Sequence, residues 1–227
     1  MLPRVILYNA VSIDGRMDWL TVDLGVFYEL AERWKVDAVL CGSQTFLDGY
    51  AAQEMPPEDD SAFQPLQREP GDPRQLLAIV DSRGQIRNWT QIRNEPYWRD
   101  AMALCSRSTP QDYLDYLRKR HVEVIVAGEA NVDLRAALEE MNARYGVKSV
   151  RVDSGGVLNG VLLRAGLVDE VSVLVQPCLV GGTTTRSLFV APDLAATEGV
   201  VRLKLAHVEP VRDDALWLRY KVVKQLN

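Results

Sequence analysis

The stretch Val152-Asp153-Ser154-Gly155-Gly156-Val157-Leu158-Asn159-Gly160 carries the strongest indication of the fold. Residues 149–152, which lead into it, have the composition of a short buried strand, and the apolar residues after it recur at helical spacing as far as Ala165. A strand that turns through two glycines into a helix directs backbone N–H groups and the positive end of the helix dipole at one point, which suits a phosphate. Paired glycines also occur in ordinary strand-to-helix turns, and the full dinucleotide-binding fingerprint is not present, so this stretch alone leaves both interpretations open.

The composition is that of an ordinary globular protein of one or two domains. The chain has 227 residues, of which 47% are apolar and 25% charged, and this length can bury a sizeable core. The net charge of −5 gives no basic surface for nucleic acid, so no nucleic-acid partner is expected. No apolar run approaches the roughly 20 residues of a membrane span, and residues 1–5 lead straight into a strand-like run. We therefore expect no membrane partner, no signal peptide and a cytoplasmic location.

The cysteines and histidines do not form a metal-binding pattern. Cys41, Cys105 and Cys178 are far apart and lie in apolar, strand-like runs. They are expected to be buried free thiols in a reducing compartment rather than a disulfide or zinc set. The two histidines, His121 and His207, are too few for a histidine-rich centre. No metal is expected.

Short apolar runs alternate with helical patterns along most of the chain. The predicted strands cover 5–8, 38–41, 76–80, 101–105, 122–126 and 149–152, and the clearest helices cover 23–35, 110–120 and 133–145. This alternation is typical of an α/β protein with a mostly parallel central sheet and helices on both faces. Such proteins bind ligands at the carboxyl ends of their strands. The residues that fall there are Asn9, Gly42, Ser82, Gly128 and Gly155.

Two regions depart from this alternation. Apolar residues recur at every second position over 171–175, 202–207 and 216–221, which indicates half-exposed antiparallel strands and hence an antiparallel C-terminal edge. Residues 50–74 contain five prolines and an acidic run. That composition is typical of a long surface loop or flap.

Two candidate ligand groups have competing structural roles. Asp23 is a plausible N-cap for the helix predicted over 23–35, and Arg33 would lie in the last turn of that helix. A cation suits the helix dipole there, and it would equally suit an anionic ligand. Gly42 and the hydroxyls after it form either a second anion cradle or a capped helix start.

Several motifs in a fixed order resemble one known family. They are Ala-Val-Ser-Ile-Asp-Gly from Ala10, Val-Asp-Ala-Val-Leu-Cys-Gly-Ser-Gln-Thr from Val36, Ile-Val-Asp-Ser-Arg from Ile79, the glycine stretch, Gly-Leu-Val-Asp-Glu-Val from Gly166 and Pro-Cys-Leu-Val-Gly-Gly from Pro177. Over nearly its whole length the chain resembles the pyrimidine reductases of riboflavin biosynthesis, the C-terminal family of the deaminase–reductase. The resemblance implies one domain over 1–227 with the dihydrofolate-reductase-like fold, assembled as a homodimer. It also implies an NADPH-dependent enzyme that reduces the ribosyl group of a ribosylaminopyrimidine 5′-phosphate to ribityl.

The resemblance further implies roles for particular residues. The NADPH contacts would be Val11, Trp19, Gly42, Thr45, Asp48, Ser82, Gly155, Gly156, Val157, Leu158 and Asn159. Arg33 and Asp153 would contact the substrate, and Asn9 joins them because it follows the first predicted strand. Asp153 is also the candidate catalytic residue. Asp14 and Asp81 follow predicted strands as well, and the sequence does not decide which acid faces the reacting carbon.

Three departures from the family pattern keep other functions open. Asp153-Ser154 stands where the family has glutamate and glycine, and Gly49 stands where the family has an acidic residue, with only Asp48 nearby. The segment after Gly49 does not match the one that helps to hold the family's substrate. The alternatives are a reductase for another pterin-like or heterocyclic substrate, and a non-catalytic NADP-binding module.

Overall fold

The structure, a computed structural model, describes residues 1–50, 58–67, 69, 71–183 and 186–224. Over these residues the chain forms nine strands and six α-helices, with short 3-10 helices at Asp60–Phe63, Thr197–Gly199 and Arg212–Asp214. In chain order the elements are β1 (Arg4–Ser12), α1 (Leu24–Ala31), β2 (Ala38–Gly42), α2 (Ser43–Tyr50), β3 (Gln75–Val80), α3 (Trp89–Asn94), β4 (Trp98–Cys105), α4 (Gln111–Lys119), β5 (Glu123–Val126), α5 (Leu134–Tyr145), β6 (Ser149–Val152), α6 (Gly156–Arg164), β7 (Glu170–Gln176), β8 (Leu203–Pro210) and β9 (Leu216–Val222). The predicted α/β class with mostly parallel strands is confirmed.

The first of two compact units comprises Met1–Pro3 and Val36–Val150. Its strands lie in the order β5-β4-β3-β2, and each neighbouring pair is parallel. The register pairs Gly42 with Val80 and Val80 with Leu104. The carboxyl ends of these strands therefore meet at one edge of the sheet. Beside the sheet, an apolar cluster encloses the fully buried indole of Trp89.

The second unit comprises Arg4–Lys35 and the chain from Arg151 onward. Its strands lie in the order β6-β1-β7-β9-β8. β1 and β7 are parallel, whereas β9 is antiparallel to both of its neighbours, β7 and β8. The predicted antiparallel C-terminal edge is therefore confirmed.

The strand predicted over 149–152 coincides with β6, but three other local predictions are wrong. β1 continues to Ser12 instead of ending at Asn9. Asp23 caps α1 as predicted, yet the helix ends at Ala31, so Arg33 lies beyond its last turn. β7 is almost entirely buried rather than half-exposed, because Ser172, on the face that was predicted to be exposed, is covered by the Trp217 indole.

The remaining expectations have different outcomes. Cys41 and Cys105 are buried free thiols as predicted, and burial raises the pKa of Cys105 to about 12. Cys178 differs, since it lies in the loop after β7 and is only half-buried. In the described parts of the chain, no helix is long and apolar enough to cross a membrane. The loop predicted over 50–74 lies partly outside the described residues, and a single domain over 1–227 stays a prediction.

Candidate functional site

The glycine stretch begins α6 without a side-chain cap. Gly155 is the N-cap residue, in an extended conformation, and it supplies no side-chain acceptor to the first turn. The first N–H groups of a helix have no partner within the helix, so an external acceptor must satisfy them. Together with the positive end of the helix dipole, they suit an anionic group. Val157 in this first turn is exposed, so the start of the helix is accessible.

The glycines of α6 also have a packing role that the sequence did not reveal. A Cβ atom at Gly156 would collide with the carbonyl oxygen of Ser187, and one at Gly160 would collide with the carbonyl oxygen of Val190. The Val190 N–H donates to the Gly156 carbonyl at 2.9 Å. Residues 187–191 therefore cross α6 in the space that these two glycines leave. Close approach of the chain itself therefore gives a second reason for glycine at position 156, and the predicted close approach of a ligand stays a prediction.

Two buried asparagines hold this turn in place. Asn159 is fully buried, and its Nδ2 donates to the Asn9 Oδ1 at 3.0 Å and to the Leu188 carbonyl at 3.1 Å. The Asn9 Nδ2 donates to the Ser154 carbonyl at 2.9 Å. Within the described part of the chain, the buried Asn159 Oδ1 has no hydrogen-bond partner. The amides of Asn9 and Asn159 thus join the start of α6 to β1 and to the segment that crosses the helix.

Asp153, at the carboxyl end of β6, forms a bidentate ion pair. The Arg151 Nε and Nη2 each donate to its carboxylate at 2.9 Å. Arg151 is buried, and its Nη1 also donates to the Ala31 carbonyl at 3.4 Å. Burial raises the pKa of the nearby Tyr8, and the charge of Asp153 raises it further. The Asp153 side chain keeps 24% of its surface exposed, so one side of the carboxylate remains available to a ligand.

The other two acidic candidates are engaged in holding loops. The fully buried Asp81 accepts hydrogen bonds from Gln85 N, Ile86 N and the Tyr113 hydroxyl. Asp14 accepts hydrogen bonds from the Ser12 hydroxyl and from the N–H groups of Val180 and Gly181. These bonds, the one from Ser12 foremost, lower the pKa of Asp14 to about 2. Asp14 therefore stays ionised near neutral pH and cannot serve there as a proton donor.

Asp14 also borders an open cleft of about 400 Å³ in the second unit. The lining residues of the cleft are Arg16, Asp18, Trp19, Cys178, Leu179, Val180, Gly181 and Gly182. Trp19 is 88% exposed and has a φ of +60°, which is unusual for a residue other than glycine. An exposed indole at a polar cleft offers a surface on which a flat ring can stack.

Arg33 is occupied by a partner from the C-terminal edge. Its Nη1 and Nη2 donate to the Glu209 carboxylate at 2.8 and 3.3 Å. The guanidinium also lies 4.8 Å from the centre of the Trp217 ring. Arg33, followed by His207, lowers the pKa of Glu209 to about 2. A substrate phosphate at Arg33 would have to share the guanidinium with this carboxylate.

Four predicted cofactor contacts lie in the first unit. Gly42 ends β2, and Thr45 and Asp48 follow it in α2. The Asp48 Oδ1 accepts a hydrogen bond from Gln44 at 2.8 Å. Ser82 follows β3 at the neighbouring strand end. The other predicted contacts belong to the second unit; of these, Val11 is buried in β1, so only its backbone could contact a ligand.

Sequence reasoning missed two features of the site. Arg151 lies in β6 and Asp153 is the residue directly after it. A spacing of two in extended chain places both side chains on one face, so their pairing could have been anticipated. The crossing of α6 by residues 187–191 left no local signal. Among the described residues, no group of three or more histidines, cysteines and acids is placed to hold a metal ion.

Comparisons with known proteins agree on one family. The family model described as the RibD C-terminal domain matches residues 3–217. A protein of Methanothermobacter thermautotrophicus named 2,5-diamino-6-ribosylamino-4(3H)-pyrimidinone 5′-phosphate reductase is 30% identical over 226 residues, which are 95% of this chain and 97% of the relative. A protein of Aquifex aeolicus with the same name is 25% identical over 99% of this chain and 98% of its own length. The crystal structure of a pyrimidine reductase-like protein from Corynebacterium diphtheriae has a TM-score of 0.72 at 19% identity, covering 98% of this chain and 93% of that one.

Proposed function

This chain belongs to the RibD C-terminal domain family, and we propose that it is an NADPH-dependent reductase of riboflavin biosynthesis. The observation that carries the proposal is the likeness to relatives named as pyrimidinone phosphate reductases, which extends over almost the full length of both chains. The start of α6, which has no side-chain cap and is held by two buried asparagines, supports the proposal, because the N–H groups at the start of a helix suit an anionic group.

The residues that would hold the cofactor supply suitable donors. The first-turn N–H groups of α6, at Gly156, Val157 and Leu158, would receive the pyrophosphate, with the turn positioned by Asn9 and Asn159. In the first unit, Gly42, Thr45, Asp48 and Ser82 would line the dinucleotide at the ends of β2 and β3. In the second unit, the Val11 backbone and the Trp19 indole would do so. A bound nicotinamide supplies the hydride, and the protein supplies position and charge.

We propose that the substrate is 2,5-diamino-6-ribosylamino-4(3H)-pyrimidinone 5′-phosphate, the compound in the names of the Methanothermobacter thermautotrophicus and Aquifex aeolicus relatives. Reduction converts its ribosyl group to ribityl. Asp153 would accept hydrogen bonds from the amino groups of the pyrimidine or from the ribose hydroxyls, with Arg151 fixing the direction of the carboxylate. Arg33 would receive the phosphate beside Glu209, and Asn9 would act by holding the Ser154 carbonyl.

Binding and turnover together test this function. Intrinsic fluorescence would be titrated with NADPH and NADH, and the absorbance of NADPH would then be followed after adding either the diaminopyrimidinone or its deaminated uracil analogue. We expect the protein to bind NADPH, and we expect the NADPH absorbance to fall only when the diaminopyrimidinone is added. Binding without decay on either compound would leave the non-catalytic dinucleotide module or a reductase for another heterocycle. No binding of either dinucleotide would contradict the proposal.

We also propose that the enzyme is a cytoplasmic homodimer. β8 is the outermost strand of the second unit, and its side chains are exposed along most of its length. Leu203, Leu205 and Val208 are each between 44 and 53% exposed. The register shift between Leu205 and His207 places these three side chains on one face of the edge strand. An exposed apolar face of this kind is well suited to pack against a second copy. Light scattering after gel filtration should give twice the chain mass of 25.5 kDa, and a monomer at micromolar concentration would contradict it.

A further inference from the structure

The guanidinium of Arg33 is held by two side chains from the C-terminal strands β8 and β9. The Glu209 carboxylate on β8 accepts hydrogen bonds from its Nη1 and Nη2 at 2.8 and 3.3 Å. The almost fully buried Trp217 on β9 lies beneath it, with the ring centre 4.8 Å from the guanidinium carbon. His207, also on β8, fixes the carboxylate in turn, because its Nε2 lies 2.9 Å from the Glu209 Oε2. The cation is therefore placed in advance and already carries an anion.

The ion pair between Arg33 and Glu209 is open to solvent. The two side chains keep 43% and 33% of their surface exposed. His207 and Glu209 alternate with Val208 along β8, so they lie on the face of the strand opposite to the apolar face proposed for the dimer contact. Exposed ion pairs contribute little free energy, and a second anion can therefore compete for the guanidinium.

Arg33 borders the same buried aromatic cluster as Asp153, the other proposed substrate contact. The ring of Trp217 lies 5.5 Å from that of Trp34, which lies 5.2 Å from the ring of the buried Tyr8. Burial raises the pKa of Tyr8, the charge of Asp153 raises it further, and the charge of Arg33 lowers it. Both charged groups therefore act on one phenol, within one unit of the structure.

The phosphate of the proposed substrate is the same group in the substrate and in the product. Tight binding of a group that the reaction does not change lowers KM without raising kcat, and it also retains the product. We propose that Glu209 is an internal competitor for Arg33, which weakens the binding of the substrate and product phosphates alike and so favours product release. A ligand that takes the guanidinium must first separate the ion pair, and its apparent affinity falls by the fraction of protein in which the pair is closed. The inference rests on the proposed function, in which Arg33 receives the phosphate.

Binding of ribose 5-phosphate tests the competition without requiring reduction. Titration calorimetry would compare the wild type with Glu209→Gln and with Glu29→Gln as the matched control. Glu29 is an exposed acid whose charge also raises the pKa of Arg33, after the hydrogen bond to Glu209, but its ion-pair partner is Arg212 at 3.3 Å. Glu209→Gln should tighten binding about two- to fivefold, the range of an exposed ion pair, while Glu29→Gln binds as the wild type does. The gain should vanish when Arg33→Gln is added to Glu209→Gln.

Turnover gives a second measurement of the same effect. In Glu209→Gln the KM for the pyrimidine phosphate and the inhibition constant of the product should fall by the factor seen with ribose 5-phosphate, and kcat should not rise. A lower kcat/KM or weaker ribose 5-phosphate binding would mean that Glu209 helps to hold the ligand, and would overturn the inference.

The remaining outcomes separate this inference from the proposed function. An equal gain in Glu29→Gln would reduce the effect to net charge, and a gain that persists without Arg33 would place the phosphate elsewhere; either result would overturn the inference. No binding of ribose 5-phosphate to the wild type or to Glu209→Gln would also overturn it, whereas reduction of the pyrimidine by NADPH would still uphold the proposed function. The expected contrast in binding, in a protein that reduces no pyrimidine, would refute the proposed function and uphold the competition at Arg33.

Discussion

Asp14 and Asp81 hold loops by the same chemistry in different surroundings. Each follows a strand and accepts two backbone N–H groups and one hydroxyl. For Asp14 the donors are Val180, Gly181 and Ser12, and for Asp81 they are Gln85, Ile86 and Tyr113. Asp81 closes a local turn and is fully buried, whereas Asp14 is exposed and reaches a loop 167 residues further along the chain.

Asp14 and Asp81 accept the same kinds of hydrogen bond, but their difference in burial gives the two carboxylates different roles. Donors that lose a buried acceptor have no water to replace it and pay the full cost of desolvation. Donors around an exposed acceptor can turn to solvent. Asp81 should therefore contribute mainly to stability, and Asp14 mainly to the shape of the cleft that holds Trp19 and to its dependence on pH.

Replacing Asp81 should have the largest effect. Asp81→Ala leaves three donors without their acceptor, and two of them, the Ile86 N–H and the Tyr113 hydroxyl, are buried. The free energy of unfolding should fall by about 3 kcal/mol. Urea denaturation followed by circular dichroism measures this change. Asp115→Ala on α4 is the control, because Asp115 is exposed and, among the described residues, accepts from the side chains of Gln111 and Arg118. This substitution should leave the free energy of unfolding almost unchanged. Equal losses in the two variants would show that burial does not distinguish these carboxylates.

The predictable part of the fold rests on local pattern. The strands of the first unit were found because buried parallel strands are short, continuous apolar runs. β6 was found from its two valines and its position before the glycine turn. α3 was missed, since a helix of six residues is too short to display a helical period. β7 was interpreted as half-exposed because of Ser172. That hydroxyl is buried, and it accepts the Trp217 indole N–H at 2.8 Å, a bond across strands that local sequence cannot indicate.

Asp14 holds the loop at Val180 and Gly181, and residues 187–191 further along the chain cross α6. Gly156 and Gly160 make room for that crossing. Gly160→Ala should lower the free energy of unfolding by about 1–3 kcal/mol, since the methyl group collides with the Val190 carbonyl. Gly49→Ala in α2 is the matched control, because no atom lies within 4 Å of its Cβ position. That variant should gain up to about 1 kcal/mol from helix propensity. A gain at both positions in urea denaturation would show that residues 187–191 do not pack on α6.

The candidate site was predictable where its residues follow one another in sequence. The glycine turn and its helix were visible in 152–160. The partner of Arg33 was not, since Glu209 stands 176 residues later in the chain, and the acceptors of Asn159 come from β1 and from Leu188. Residue type identified the groups capable of chemistry. Only the tertiary contacts showed that Asp81 is fully buried in a turn, whereas Asp14 and Asp153 accept hydrogen bonds and still keep exposed surface.

Replacing Asp14 should have the smallest effect, and one that depends on pH. The folded-state pKa of Asp14, about 2, lies below its ordinary value of 3.8. A lowered pKa means that the carboxylate stabilises the fold above about pH 4 and that this contribution is lost as the pH falls toward 2. The stability difference between wild type and Asp14→Asn should therefore be constant from pH 7 to 5 and shrink between pH 4 and 2. Urea midpoints measured across this range provide the test. A difference that stays constant down to pH 2 would mean that the hydrogen bonds from Ser12, Val180 and Gly181 do not depend on the charge of Asp14. Asp14 would then hold the loop equally well with or without its charge. The pH dependence that distinguishes Asp14 from Asp81 would be lost.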